Sequence, residues 1–157
     1  EFFKKTNLNN LINEMIISFK ENSSKKIYLV SDDNKNDFNF QRSPELIYGL
    51  RNFIGNAVKF SKSKVLVNLK SNKTNISIIV NDDGPGFPED IKDILGEPYI
   101  KSKSKEVRLN SGLGLGTFLG KTLLEKQGAE LSFSKNKELG GASVIISLDI
   151  ENLKSIF

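Results

Sequence analysis

Between Ser43 and Phe60 the chain repeats at helical spacing, and two asparagines one turn apart stand in the middle of its polar side. Leu46, Leu50, Phe53, Ile54, Ala57 and Phe60 share one side, an apolar face suited to packing on a sheet. Glu45, Asn52, Asn56 and Lys59 form a polar stripe on the other side. Ser43 offers a capping hydroxyl and Pro44 fits a first turn, so the pattern predicts a helix over 44–60. A polar stripe is ordinarily a solvated face. Asparagine, however, has poor helix propensity, so two of them one turn apart do little for the helix itself. An amide oxygen is a hard ligand of the kind Mg²⁺ accepts beside phosphates and water. Lys59, one turn beyond Asn56, can reach phosphate oxygens as a point charge.

The remaining elements follow from periodicity. Leu8, Leu11, Ile12, Met15, Ile16 and Phe19 read as an amphipathic helix capped by Thr6 or Asn7. Strands are predicted at 27–30, 64–70, 75–81, 129–134 and 142–150, the middle two joined as a hairpin through residues 71–74. Residues 84–111 read mostly as loop, with a short helix near 89–95, and a second major helix covers about 116–127 before Gly128 stops it. With 157 residues, no repeat and no linker, the chain predicts a single domain over 1–157. Its class is α/β: a two-layer sandwich, with a mixed sheet of about five strands covered on one face by about three helices.

Composition excludes several chemistries. The chain has no cysteine and no histidine, which removes disulfides, thiolate metal sites, imidazole bases and Ser-His-Asp triads. The absence of cysteine agrees with a cytoplasmic setting. No apolar run approaches a membrane span, so no membrane contact by this domain is expected. The net charge of +4 comes from scattered lysines with a single local cluster over 101–108, a poor nucleic-acid footprint. The abrupt opening at Glu1 reads as a piece cut from a longer chain.

Two further segments carry chemistry. Asp82 shares alternation parity with Ile76, Ile78 and Val80, so it should point into the space between sheet and helices. A carboxylate there needs donors, and the exocyclic amine of adenine is a suitable one. Asp82-Asp83-Gly84-Pro85-Gly86 is also good turn chemistry in its own right. Gly84 and Gly86 let a ligand approach the backbone closely. Gly112, Leu113, Gly114, Leu115 and Gly116 form a glycine-rich run before the second helix, where free amides and the helix dipole suit phosphate. No strand leads into it as a Rossmann turn requires, and no Gly-Lys-Ser/Thr follows as in a Walker A loop.

Taken together, these residues resemble the ATP-binding domain of sensor histidine kinases, within the wider ATPase class of gyrase, Hsp90 and MutL with its Bergerat-type fold. The resemblance covers about residues 8–150. It implies that Asn56 ligates magnesium, that Lys59 contacts phosphate beside Phe60, and that Asp82 reads adenine with Gly84 and Gly86 at its side. Glu97-Pro98-Tyr99-Ile100-Lys101-Ser102-Lys103 resembles the family's aromatic lid segment, with Lys103 matching a lysine that approaches the γ-phosphate. Residues 112–116 match the box that clasps phosphates, and Gly140-Gly141-Ala142 matches a small turn before the last strand. Gly96 to Tyr99, and Lys121 to Glu125 followed by Gly128-Ala129, are similar to redox-responding kinases of the RegB/PrrB type.

The resemblance implies a two-component histidine kinase domain that uses Mg²⁺ and ATP in signal transduction. Its phosphoryl acceptor would be a histidine on a helix of the same or a partner subunit, outside this chain, with a response regulator next in the phosphorelay. The resemblance is also compatible with a parent protein anchored in the inner membrane. An anti-sigma-type serine kinase and a non-catalytic ATP-dependent scaffold are the alternatives. Asn52 stands where hydrolysing relatives tend to carry glutamate; an amide takes no proton, so poor ATPase activity in isolation is expected. Phe118 departs from the small residue common in histidine kinases and is expected to alter contacts near the phosphates.

Overall fold

The structure, a computed structural model, describes residues 5–32, 39–88 and 114–154. A two-residue strand β1 (Lys5–Thr6) precedes α1 (Leu8–Lys20). Of the two candidate caps it is Asn7 that serves, its side chain accepting from the Asn10 amide at 2.8 Å. Strand β2 (Lys26–Ser31) and the short β3 (Phe40–Gln41) lead to α2 (Pro44–Phe60), which has the bounds its spacing predicts. The Ser43 hydroxyl caps α2 by accepting from the Leu46 amide at 3.1 Å. β4 (Lys64–Ser71) and β5 (Asn75–Asp82) form the expected hairpin, followed by α3 (Gly114–Lys126), β6 (Glu130–Lys135), β7 (Ala142–Asp149) and α4 (Ile150–Lys154).

Five strands make one sheet in the order β2-β4-β5-β7-β6. β2 runs parallel to β4, through the α2 crossover, and the other pairs are antiparallel. The sheet is therefore mixed, as predicted. Alternation decides which face is covered. Val65, Val67, Ile76, Ile78, Val80, Val144, Ile146 and Leu148 are buried on the inner face. They share one core with Leu11, Ile12, Met15 and Ile16 of α1 and with Leu46, Leu50, Phe53 and Ile54 of α2. On the outer face Tyr28 and Val30 stay exposed.

The differences from the sequence reading are local. α3 begins at Gly114, two residues ahead of the expected start at about 116, so Gly114 and Leu115 join Gly116 in its first turn. β7 ends one residue early, because the Asp149 carboxylate accepts from the Glu151 and Asn152 amides and starts α4. β1 and β3 pair as a separate two-stranded sheet, too short to show any period. Gly128 does stop α3: its φ of +88° is open to glycine, and the Ala129 amide donates back to the Leu124 carbonyl. The short helix expected near 89–95 lies outside the described residues. Among the described residues no helix is long and apolar enough to cross a membrane.

Candidate functional site

A cavity of about 190 Å³ opens where α2, β5, α3 and β7 meet, against the roughly 10–15 Å³ that one water needs. Its walls are largely apolar: Phe53, Ala57 and Phe60 from α2, Val80 and Val144 from the sheet, and Pro85, Phe87 and Pro88 beyond β5. Phe133 backs this wall, lying 5.8 Å from the Phe53 ring and 5.7 Å from the Phe87 ring, centroid to centroid. Three polar side chains enter the lining: Asn56, Asp82 and Thr117. An apolar slot with few convergent polar groups is the usual form of a small-molecule site.

Asp82 points inward, as its parity predicts, and is 5% exposed. Its Oδ1 accepts from the Gly84 amide at 2.8 Å and the Ala142 amide at 3.2 Å. Oδ2 accepts from no described residue, which leaves it for a ligand. Burial pushes the carboxyl pKa up, and the neighbouring Asp83 charge adds to this; the two amides and the Lys25 charge pull the other way. The close fit depends on missing side chains. A Cβ on Gly141 would overlap Asp82 Oδ1, and one on Gly84 would overlap the Phe60 carbonyl. Asn136 adds a second brace, donating from Nδ2 to the carbonyls of Asp82 and Ala142 at 3.0 and 2.8 Å.

Asn56 is oriented by its neighbours. Its Nδ2 donates to Thr117 Oγ1 at 2.6 Å and to Asn52 Oδ1 at 3.3 Å. Both amide hydrogens are therefore committed, and the carbonyl oxygen is left without a partner among the described residues. Such an oxygen, beside a cavity that also holds a carboxylate, fits a hard cation. Asn52 itself packs on α3, where a Cβ on Gly120 would come within 3.1 Å of it.

The site residues expected from sequence divide into three groups. Asn56, Phe60, Asp82 and Gly86 line the cavity, with Gly84 behind them. Asn52 lies one turn from the cavity, and Lys59 is exposed with its ammonium 5.2 Å from the Phe60 ring centroid. Gly114, Leu115 and Gly116 fall in the first turn of α3. Tyr99, Lys103, Gly112 and Leu113 lie outside the described residues. Phe118 is buried and does not belong to the cavity wall. Sequence reasoning missed Thr117, Phe87 and Asn136. None of the three left a local signal: Thr117 follows the glycine run, but its contact with Asn56 exists only because α2 and α3 cross.

Comparison with known proteins agrees with this geometry. Residues 42–152 match the model of the histidine kinase-, DNA gyrase B- and HSP90-like ATPase family. Sensor histidine kinase RegB of Cereibacter sphaeroides is 43% identical over 98 residues, covering 59% of this chain and 21% of RegB. Sensor histidine kinase CpxA of Escherichia coli is 28% identical over 120 residues, covering 71% of this chain and 26% of CpxA. The chain thus spans about a fifth to a quarter of these relatives. The similarity to RegB accords with the RegB/PrrB-type resemblance. Among solved structures, the catalytic domain of histidine kinase ThkA superposes with a TM-score of 0.70 at 21% identity, covering 94% of this chain and 95% of that one. The ATP-binding domain of PrrB from Mycobacterium tuberculosis gives 0.69 at 21% identity, covering 95% and 98%. A family match across most of the chain, with the Asn56 and Asp82 boxes meeting at one cavity, places this chain in the histidine kinase-, DNA gyrase B- and HSP90-like ATPase family.

Proposed function

We propose that this domain binds Mg²⁺-ATP and presents its γ-phosphoryl group to a histidine outside this chain. The observation that carries the reading is the pair of uncommitted oxygens, Asp82 Oδ2 and Asn56 Oδ1, on residues that line one apolar cavity. Asp82 accepts the exocyclic amine of adenine, and the ring slides between Phe60, Phe87 and the Val80–Val144 floor. Asn56 holds the magnesium ion, which neutralises phosphate charge when bound. The first-turn amides of α3, including those of Gly114, Leu115 and Gly116, take phosphate oxygens with the helix dipole behind them. Lys59, with Lys103 and Tyr99 of the lid and Gly112 and Leu113 before α3, completes the phosphate end in this reading.

Transfer then rests on positioning and charge neutralisation. Asn52 takes no proton and orients the Asn56 amide, so water is left unactivated and the acceptor must bring its own nucleophile. The chain is read as one catalytic domain over 1–157 of a cytoplasmic segment whose parent can sit in the inner membrane. A response regulator is the next acceptor. Calorimetric titration with ATP, with and without Mg²⁺, tests the proposal. Magnesium-assisted binding in the micromolar range, with phosphate transfer to an added histidine-bearing helix, is the expected result; absence of ATP binding overturns it.

A further inference from the structure

The turn between α2 and β4 is held from two sides by opposite charges that do not line the cavity. Lys25, in the turn before β2, donates from Nζ to the carbonyls of Val58 at 2.6 Å, Lys59 at 3.1 Å and Ser61 at 2.8 Å. It thereby satisfies carbonyls that α2 leaves open at its C-terminus. Asp83, just past β5, accepts from the amides of Lys62 at 2.8 Å, Ser63 at 3.0 Å and Lys64 at 3.2 Å, all at Oδ1. Its Oδ2 accepts the Ser63 hydroxyl at 2.9 Å. A cation grips the carbonyl side of residues 58–61 and an anion grips the amide side of residues 62–64. Phe60, a wall of the cavity, lies inside the first grip, between the Lys59 and Ser61 carbonyls, and two residues before the second. Its carbonyl rests where a Gly84 side chain would be, and Gly84 donates to Asp82.

We infer that Lys25 and Asp83 are positioning residues for the base end of the nucleotide site: together they fix the distance between the Phe60 wall and the Asp82 carboxylate. The inference rests on the proposed ATP reading. It separates the two ends of the ligand. Phe60 and Asp82 belong to the base end, whereas Asn56 and the first turn of α3 belong to the phosphate end. Loosening the turn should weaken adenosine and ATP by the same factor and leave the benefit of Mg²⁺ unchanged.

The test measures affinity for adenosine, ATP and Mg²⁺-ATP in the parent chain and in Lys25→Met, Asp83→Ala, Lys25→Arg and Asp83→Asn. The expected result for Lys25→Met and Asp83→Ala is a loss of about tenfold for adenosine and ATP alike, with the Mg²⁺ enhancement at the parent ratio. Lys25→Arg keeps a donor and Asp83→Asn keeps an Oδ1 acceptor, so both should stay within about threefold of the parent. A parent that binds ATP beside variants that are folded, less stable to urea and unchanged in adenosine affinity would overturn the inference while leaving the ATP reading intact. A parent that binds no ATP would overturn both. If Lys25→Met does not fold, Asp83→Ala and the milder Ser63→Ala decide by the same ratio.

Discussion

At the scale of single residues, the side chains that matter most are those whose second polar atom has been left free. Asp82 carries a raised pKa, so the folded chain holds its proton more tightly than the unfolded chain does. Its contribution to stability is therefore unfavourable at neutral pH and fades as pH falls to about 4, the ordinary carboxylate range. Asp82→Asn should be at least as stable as the parent at neutral pH, with the difference shrinking towards pH 4. It should nevertheless bind ATP roughly 30- to 100-fold more weakly, because an amide can set donors against the adenine amine. Urea unfolding at two pH values and a titration check both halves. Thr117→Val removes the 2.6 Å partner of the Asn56 amide. The Mg²⁺ enhancement of ATP binding should drop about tenfold while adenosine affinity holds, as expected if Thr117 orients Asn56 as the proposed metal ligand. Asp82 was legible in the sequence because strand parity is a local property. Thr117 was not, because its partner lies 61 residues away and only the crossing of two helices brings them together.

At the scale of elements, one close crossing and one junction set the geometry. α2 and α3 approach through glycine: a Cβ on Gly49 would collide with the Leu124 side chain, and one on Gly120 would press on Asn52. The junction after α2 is acid-sensitive. Asp83 loses some hydration, but the amides of Ser63, Lys64 and Lys62 and the Ser63 hydroxyl outweigh this and hold its pKa down at about 2. A depressed carboxylate stabilises the fold above its unfolded pKa and loses that effect as pH falls towards the folded value. Asp83→Ala should therefore lower stability by about 1 kcal/mol at neutral pH, the figure being small because the group is partly exposed. The gap to the parent should narrow between about pH 4 and pH 2 in urea midpoints. Element type and order were legible wherever a period ran for six residues or more, as in α1, α2, β4 and β5. The start of α3 was misjudged because glycine, a poor helix former, gives no helical signal even where the backbone is helical. Lys25 left no trace, since a lysine stapling distant carbonyls looks like any solvated lysine.

At the scale of the whole molecule, the proposed ligand should act as a structural component. A ligand present at a hundred times its dissociation constant adds about 2.7 kcal/mol to stability. For a domain of this size that corresponds to a rise in Tm of roughly 5–10 °C. Mg²⁺-ATP should produce this rise, ATP without metal a smaller one, and GTP little, because the role proposed for Asp82 is to accept the amine of adenine. Equal shifts for ATP and GTP in differential scanning fluorimetry would count against the adenine assignment.

The sheet order also governs when this chain can first do anything. β7, the last strand among the described residues, lies between β5 and β6 and lines the cavity through Ala142 and Val144. A chain folded only as far as Gly141 has α1, α2 and the hairpin but lacks the Ala142 and Val144 side of the proposed nucleotide site. The proposed site is thus completed only when β7 enters the sheet, and capture of a fluorescent nucleotide during refolding times the insertion of that strand.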